Sequence, residues 1–401
     1  MKPDILTPFL DDADVILYAG DCLEVMKRMP GSSVDAIVTD PPYGLEFMGK
    51  GWDGFGTPLG FQTWTEAWAV EAFRILKPGG HLLAFAGTRT YHRMASGVED
   101  AGFEIRDCIA WMYGSGFPKS LDVSKAIDKA AGAERDRLVE YAGTSGSLSG
   151  PRVNVIDAGE PVTAEAAAAA GWGTALKPAF EPVVVARRPL IGTVAANVLE
   201  HGTGALNIDA CRIGTDGGTR RDGKATEAND SGWGNMRGHG IADIGAGRWP
   251  ANIALDATAA GMLDEQSGTS SSTIGKPRSA GNGDGWGMTE TGAEYADTGG
   301  ASRFFYTAKA SRQDRNVGGL ADNTHPTVKP TDLMRWLIRL VTPPGGIILD
   351  PFGGSGSTGL AARAENVRCI LIEREPEYLQ IIRDRLAQQN LFATESTTTK
   401  D

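Results

Sequence analysis

One run of residues near the C-terminal end restricts the fold more than any other. Gly346-Ile347-Ile348-Leu349-Asp350 reads as a buried strand and Pro351-Phe352-Gly353-Gly354-Ser355-Gly356-Ser357-Thr358-Gly359 as a glycine loop. Leu360-Ala361-Ala362-Arg363-Ala364 then begins a helix, and Cys369-Ile370-Leu371-Ile372-Glu373 is the next strand. Strand, glycine turn, helix and a strand ending in an acid make a nucleotide-binding βαβ unit, the acid being suited to ribose hydroxyls. A glycine loop alone says little in a chain with 53 glycines. The order of elements, and the acid closing each strand, carry the reading.

A second constraint lies at the other end. The apolar run Val34-Asp35-Ala36-Ile37-Val38 reads as a buried strand, and Thr39-Asp40-Pro41-Pro42-Tyr43 stands at its mouth. A carboxylate, two prolines and an aromatic ring suit the grasp of a flat base. The lone pair of an exocyclic amino group is delocalised into the ring, so attack by that nitrogen requires the pair to be relocalised. Two acceptors aimed at the two amino hydrogens, the Asp40 carboxylate and a carbonyl such as that of Pro41, favour a tetrahedral nitrogen in the transition state. The prolines fix φ and hold the acceptors in place beforehand, and Tyr43 offers a ring on which an extruded base can stack. The plainer alternative is a strand ending in a proline turn, with a solvated Asp and a packed Tyr.

Asp40-Pro41-Pro42-Tyr43 resembles the catalytic motif of amino-group DNA methyltransferases, and Asp350-Pro351-Phe352-Gly353-Gly354-Ser355-Gly356 resembles their S-adenosylmethionine motif. His325-Pro326-Thr327-Val328-Lys329-Pro330 is similar to a third family motif, which borders the methionine end of the cofactor. The order, catalytic motif first and cofactor loop last, resembles the β class of these enzymes, found in bacterial modification systems and phages. The resemblance implies catalytic roles for Asp40, Pro41, Pro42 and Tyr43. It implies cofactor contacts from Asp21, Cys22, Asp40, Lys329, Asp350, Phe352, Gly353, Gly354, Ser355, Gly356 and Glu373. Asp21 is the candidate for the cofactor's adenine, and equally for a helix N-cap. Lys329 either borders the methionine end or caps the approach to the next helix.

At 401 residues and 41% hydrophobic content, the chain has enough for one catalytic domain carrying a large insertion. No run of 18 apolar residues occurs and Met1-Lys2-Pro3-Asp4 opens no signal peptide, so a cytoplasmic protein with no membrane partner is expected. Cys22, Cys108, Cys211 and Cys369 are scattered, suiting neither a zinc site nor a disulfide framework, and no metal is expected. A formal charge of −11 argues against indiscriminate binding to a polyanion, so any DNA contact requires basic residues clustered on one face.

Along the chain, residues 14–19 form a strand and an amphipathic helix follows Asp21. The loop from Gly44 to Gly60, with Phe47, Trp52 and Phe55, either closes over a flipped base or anchors itself to the core. Trp64 to Leu76 is a helix stopped by Lys77-Pro78-Gly79-Gly80, His81 to Ala86 a strand, Tyr91 to Ala101 a helix and Phe103 to Trp111 a strand. The pattern predicts a Rossmann-like, doubly wound α/β sheet, mostly parallel with an antiparallel edge. Residues 1–114 are the catalytic half and 115–176 an insertion. Residues 177–189 are an edge strand, pairing through Val183-Val184-Val185-Ala186 with Phe103 to Trp111. Residues 190–320 are a target-recognition region with scattered Arg and Lys, within which Arg248-Trp249-Pro250-Ala251-Asn252 and Ser302-Arg303-Phe304-Phe305-Tyr306 read as ordered anchors. Residues 321–392 are the cofactor half and 393–401 a flexible tail.

The expected activity is methyl transfer from S-adenosylmethionine to adenine N6 in double-stranded DNA after base flipping. Asp rather than Ser at the head of the first motif resembles adenine enzymes, with cytosine N4 the alternative. No covalent enzyme intermediate is needed. An RNA or protein methyltransferase, a nicotinamide oxidoreductase and a non-catalytic DNA-binding protein are the rival classes. A homodimer and a separate restriction endonuclease are the further partners considered.

Overall fold

The computed structural model describes residues 7–45, 53–116, 120–141, 153–157, 159–214, 219–220, 247–272, 294–295, 297–308 and 328–398. The chain separates into two compact units, Ser115–Ala179 and the remainder.

In the larger unit, the first half supplies β1 (Leu10–Asp11), β2 (Val15–Ala19), α1 (Cys22–Met26), β3 (Val34–Thr39), α2 (Pro58–Ile75), β4 (Leu76–Phe85), α3 (Tyr91–Asp100) and β5 (Glu104–Met112). Helix α2 starts earlier than Trp64 because Thr57 caps it, accepting from Gly60 N at 2.9 Å, with Pro58 at its first position. Lys77-Pro78-Gly79-Gly80 does more than stop this helix. It is the irregular first part of β4, where Gly79 adopts φ +75° and the pairing with β3 shifts register.

The smaller unit packs α4 (Val123–Ala130) on α5 (Ala164–Ala168) and holds an antiparallel pair, β6 (Arg137–Tyr141) and β7 (Val153–Asp157). Its Asp128 carboxylate accepts from Arg135 Nε at 2.6 Å and Thr163 Oγ1 at 2.8 Å.

The larger unit resumes with β8 (Phe180–Arg187), α6 (Val194–His201), β9 (Thr219–Arg220), β10 (Ile253–Asp256), α7 (Ala257–Ser267), β11 (Ser270–Ser271), β12 (Glu294–Tyr295), β13 (Thr298–Gly299) and β14 (Tyr306–Ala308). It closes with α8 (Thr331–Val341), β15 (Ile347–Asp350), α9 (Ser357–Ala364), β16 (Arg368–Glu373) and α10 (Pro376–Thr398). Helix α10 runs past Gln389 because no glycine or proline interrupts residues 389–398.

The main sheet has the order β1-β2-β16-β15-β3-β4-β8-β5-β10-β14. β1 and β8 run against their neighbours; the other pairings are parallel. The fold is therefore a mixed, mostly parallel, doubly wound α/β sheet. Alternate residues of β4 feed two cores: Leu82 and Ala84 face α1, α2 and α3, while Leu83 and Phe85 face α8, α9 and α10. β8 pairs with β5 but lies inside the sheet rather than at its edge, because β10 and β14 continue the sheet beyond β5. Those two strands are short and sit in a glycine-rich context, which hides them from pattern reading.

Candidate active site

Because β2, β16, β15, β3 and β4 are parallel, their carboxyl ends share one rim, and Asp21, Glu373, Asp350 and Asp40 all stand there. The chain winds outward in opposite directions from β15 and β3, which makes the gap between them the topological switch point where such sheets bind ligands. Thr39 Oγ1 bridges that gap, donating to Asp350 Oδ1 at 2.6 Å.

Beside it lies a buried charge cluster. Lys329 is 7% exposed, and its Nζ is 2.8 Å from Asp40 Oδ2, 3.0 Å from Glu181 Oε2 and 3.1 Å from Tyr43 Oη. Tyr43 Oη in turn lies 2.8 Å from Asp40 Oδ1 and 3.0 Å from Glu181 Oε2. Phe85 and Trp111 wall the ammonium, with ring centres 4.8 and 6.0 Å away. Burial works against the Lys329 charge, but Asp40 and Glu181 outweigh it and raise its pKa above the ordinary lysine value. Burial, with the same two carboxylates, pushes the Tyr43 hydroxyl well above its usual value, so it keeps its proton. The chain after Tyr43 is clipped by buried Asp53, which accepts from Gly44 N at 2.7 Å and Leu45 N at 3.0 Å.

On the cofactor side, Asp350 is buried and fully engaged within the protein. It accepts from Thr39, from Thr358 Oγ1 at 2.6 Å and from Phe352 N at 3.0 Å, so its side chain shapes the loop rather than presenting itself to a ligand. Burial raises its pKa to about 6. Glu373 accepts from Gly354 N at 2.7 Å and from the amides of Arg374 and Glu375, both at 2.8 Å, and burial lifts it to about 7. Asp21 caps α1 by accepting from Leu23 N at 3.0 Å. Cys22 turns its thiol into the core beneath α1, where burial pushes it up to about 12. The Phe352 ring is half-buried against Trp64 and Trp68, at 5.5 and 5.6 Å between ring centres.

The rim fits a nucleoside-bearing cofactor. Gly20 N bonds to Glu373 O at 2.9 Å, which sets Asp21 next to Glu373, and the Glu373 carboxylate holds Gly354, so two acids and the loop are contiguous. The loop itself tolerates only glycine at Gly356, where φ is +81° and an added Cβ would approach Ile382 to 3.2 Å. Buried Arg385 on α10 fixes this loop from behind, donating from Nη1 to the Ser355 carbonyl and to Ser355 Oγ at 3.0 Å.

The structure brings Asp40, Tyr43 and Lys329 together, and Asp21, Glu373 and the glycine loop together. His325, Phe47 and Trp52 lie outside the described residues. Phe55 is anchored against Phe61 and Trp64, at 5.3 and 4.6 Å. Of the arginines ascribed to target recognition, Arg248 is buried with its Nη2 2.6 Å from Asp297, and Arg303 lies 3.5 Å from the same carboxylate; both are internal fasteners. Glu181, Thr39, Thr358, Arg385 and Asp53 were not singled out from sequence. For Glu181 a signal existed: an acid at the start of an antiparallel strand lands on the same rim as acids at the ends of parallel ones.

This fold and rim define a doubly wound α/β protein whose switch point carries Asp40 on one side and an acid-flanked glycine loop on the other. Residues 34–137 and 249–384, more than half of the chain, match the DNA methylase family of N6/N4 methyltransferases. The chain belongs to that family, and it is an S-adenosylmethionine-dependent DNA methyltransferase. It is 23% identical over 407 residues to the type II methyltransferase M.HindIII of Haemophilus influenzae, covering 92% of this chain and 94% of that one. It is 38% identical over 103 residues to M.XycI of Xanthomonas campestris pv. cyanopsidis, covering 22% of this chain and 34% of the relative. Among solved structures, that of M1.HpyAVI aligns over 93% of this chain and 98% of its own at 16% identity and TM-score 0.41. The PvuII cytosine-N4-specific methyltransferase aligns over 94% and 88% at 15% identity and TM-score 0.45.

Proposed function

We propose that the protein methylates the N6 amino group of adenine in duplex DNA, with the target base turned out of the helix. The observation that carries this reading is Asp40, held at the switch point by Lys329 and Tyr43 and tied through Thr39 to the Asp350 loop. Asp at the head of the motif favours adenine; cytosine N4 is the alternative, since both amino groups call for the same acceptors.

When bound, S-adenosylmethionine supplies an electrophilic methyl group. Asp40 and the Pro41 carbonyl accept the two amino hydrogens and bring the nitrogen lone pair out of conjugation. The proline turn keeps these acceptors in register, and the Tyr43 ring, fixed through its hydroxyl, is the stacking surface for the base. Lys329 orients the Asp40 carboxylate through its 2.8 Å contact with Oδ2. Asp21, Glu373 and the loop Phe352–Gly356 bind the cofactor, with Asp350 holding the loop's shape. Residues 190–320 supply target recognition, with Arg248 and Arg303 as internal fasteners of that region rather than phosphate contacts. The relatives' names as type II methyltransferases support a modification enzyme whose endonuclease, where one exists, is another chain.

The test is incubation of the purified protein with methyl-labelled S-adenosylmethionine and mixed-sequence duplex DNA, followed by nucleoside mass spectrometry. Labelled N6-methyladenine is the expected product. Labelled N4-methylcytosine would replace the adenine assignment, and label entering RNA alone would overturn the DNA reading.

A further inference from the structure

Tyr43 carries one hydroxyl proton and faces two carboxylates. Its Oη is 2.8 Å from Asp40 Oδ1 and 3.0 Å from Glu181 Oε2, while Lys329 Nζ donates to it from 3.1 Å. A phenol donates to one acceptor at a time, so the two carboxylates compete for that proton. Glu181 reaches this point because β8 is antiparallel: residue 181 sits at the start of its strand, in register with Trp111, on the rim where parallel strands end. In the reading above, Asp40 accepts an amino hydrogen of the base. Its Oδ1 is crowded while the Tyr43 proton points at it, and its Oδ2 already accepts from Lys329.

We propose that Glu181 is a positioning residue that accepts the Tyr43 proton when substrate arrives, so that Asp40 Oδ1 is released to accept the hydrogen of the base's amino group. This inference rests on the amino-methylation reading above and deepens it. No proton is transferred between heavy atoms: the O–H of Tyr43 rotates from Asp40 to Glu181, and the amino N–H takes the vacated lone pair. The second contact of Glu181, 3.0 Å to Lys329 Nζ, keeps its carboxylate in place for this exchange and shares the ammonium with Asp40. The Tyr43 hydroxyl stays protonated because burial and both carboxylates raise its pKa, which the exchange requires. Phe85 and Trp111 close the apolar side of the cluster, so within it the proton has the two carboxylates as its anionic acceptors.

The experiment is a double-mutant cycle between Glu181→Gln and Tyr43→Phe, read as single-turnover methylation of duplex DNA and as binding constants for S-adenosylmethionine and DNA. An amide oxygen is a weaker acceptor than a carboxylate, so Glu181→Gln leaves the proton on Asp40. It is expected to slow methyl transfer about 10- to 100-fold, with both binding constants within about threefold of wild type. Tyr43→Phe slows the reaction on its own account, and in that background Glu181→Gln is expected to add less than about twofold, because no proton remains to be redirected. Equal losses from Glu181→Gln in both backgrounds, or no loss in either, overturn the proposal. A loss explained by weaker cofactor binding also overturns it. Should Glu181→Gln not accumulate as folded protein, Glu181→Asp, which keeps the charge and withdraws the acceptor, is read in the same cycle by the same criteria. A wild-type enzyme that methylates DNA while the cycle is additive sinks the Glu181 role alone; a wild type silent on DNA sinks the amino-methylation reading as well.

Discussion

Thr39 at the end of β3 donates a 2.6 Å hydrogen bond to Asp350 at the end of β15, joining the strand that leads into Asp40 to the strand that carries the glycine loop. Both residues are buried, so the bond is not exchanged for water. Replacing Thr39 with Val removes a donor from a buried carboxylate at nearly constant volume. A loss of about 1–3 kcal/mol is expected from urea unfolding, together with weaker S-adenosylmethionine binding, because Asp350 also accepts from Phe352 N in the loop. A Thr39→Val protein with wild-type stability would show the bond to be dispensable.

Asp350 and Glu373 give the stability a defined pH dependence. Burial raises their carboxyl groups to about 6 and about 7, so between roughly pH 4 and 7 the folded state holds protons that the unfolded chain has released. Their contribution to stability is full below about pH 4 and is lost as the pH rises through these values. Asp264 acts in the opposite sense, below about pH 4, since hydrogen bonds from Ser302 lower its pKa. The urea midpoint is therefore expected to carry a component that falls from pH 5 to pH 7.5, and Asp350→Asn to reduce it. The check is the midpoint difference between these two pH values in both proteins; an unchanged difference would remove Asp350 from the explanation.

Lys329→Met leaves the Asp40 and Glu181 carboxylates about the Tyr43 hydroxyl with no cation between them. Breaking a buried ion pair from one side costs about 3–5 kcal/mol. The variant is expected to unfold correspondingly earlier and to lose about 100-fold or more in kcat, the size typical of a removed catalytic hydrogen-bonding partner. Denaturation curves and single-turnover rates measure the two effects separately.

Arg385 lies behind the glycine loop, on α10, and touches Ser355 and Ser357 with one guanidinium nitrogen. Arg385→Met preserves the apolar packing and removes these donors. The dissociation constant for S-adenosylmethionine is expected to rise about tenfold, equivalent to roughly 1.4 kcal/mol, while methyl transfer at saturating cofactor changes far less. Calorimetric titration against single-turnover rates distinguishes this from a general loss of the site.

The fold was legible wherever local pattern and tertiary demand agree. β15, its glycine loop, α9 and β16 are a contiguous unit whose residue order announces it. The same holds for β3 and the turn behind Asp40. The parts that were not legible depend on long-range arrangement. Glu181 joins Asp40, Tyr43 and Lys329 through the direction of β8, which a sequence displays only once the strand order is known. Thr39, an unremarkable strand-end residue in sequence, gains its role from a carboxylate 311 positions away. Arg385 sits in an ordinary amphipathic stretch, and its complete burial against the loop has no local signature. Asp350 shows the converse: the motif marks it as a ligand contact, yet the burial that makes the motif work occupies its side chain with Thr39, Thr358 and Phe352. β10 and β14 were missed because strands of four and three residues are too short for periodicity to register.

The most direct measurement is sequencing that reports base modification on DNA from cells expressing the protein, beside cells expressing Asp40→Ala. Methylated exocyclic amino groups at one short sequence, present with the wild type and absent with the variant, are the expected result, with adenine as the modified base. Unmodified DNA in cells that contain folded wild-type protein, or the same modification with Asp40→Ala, would contradict the assignment of Asp40 as the residue that grips the amino group.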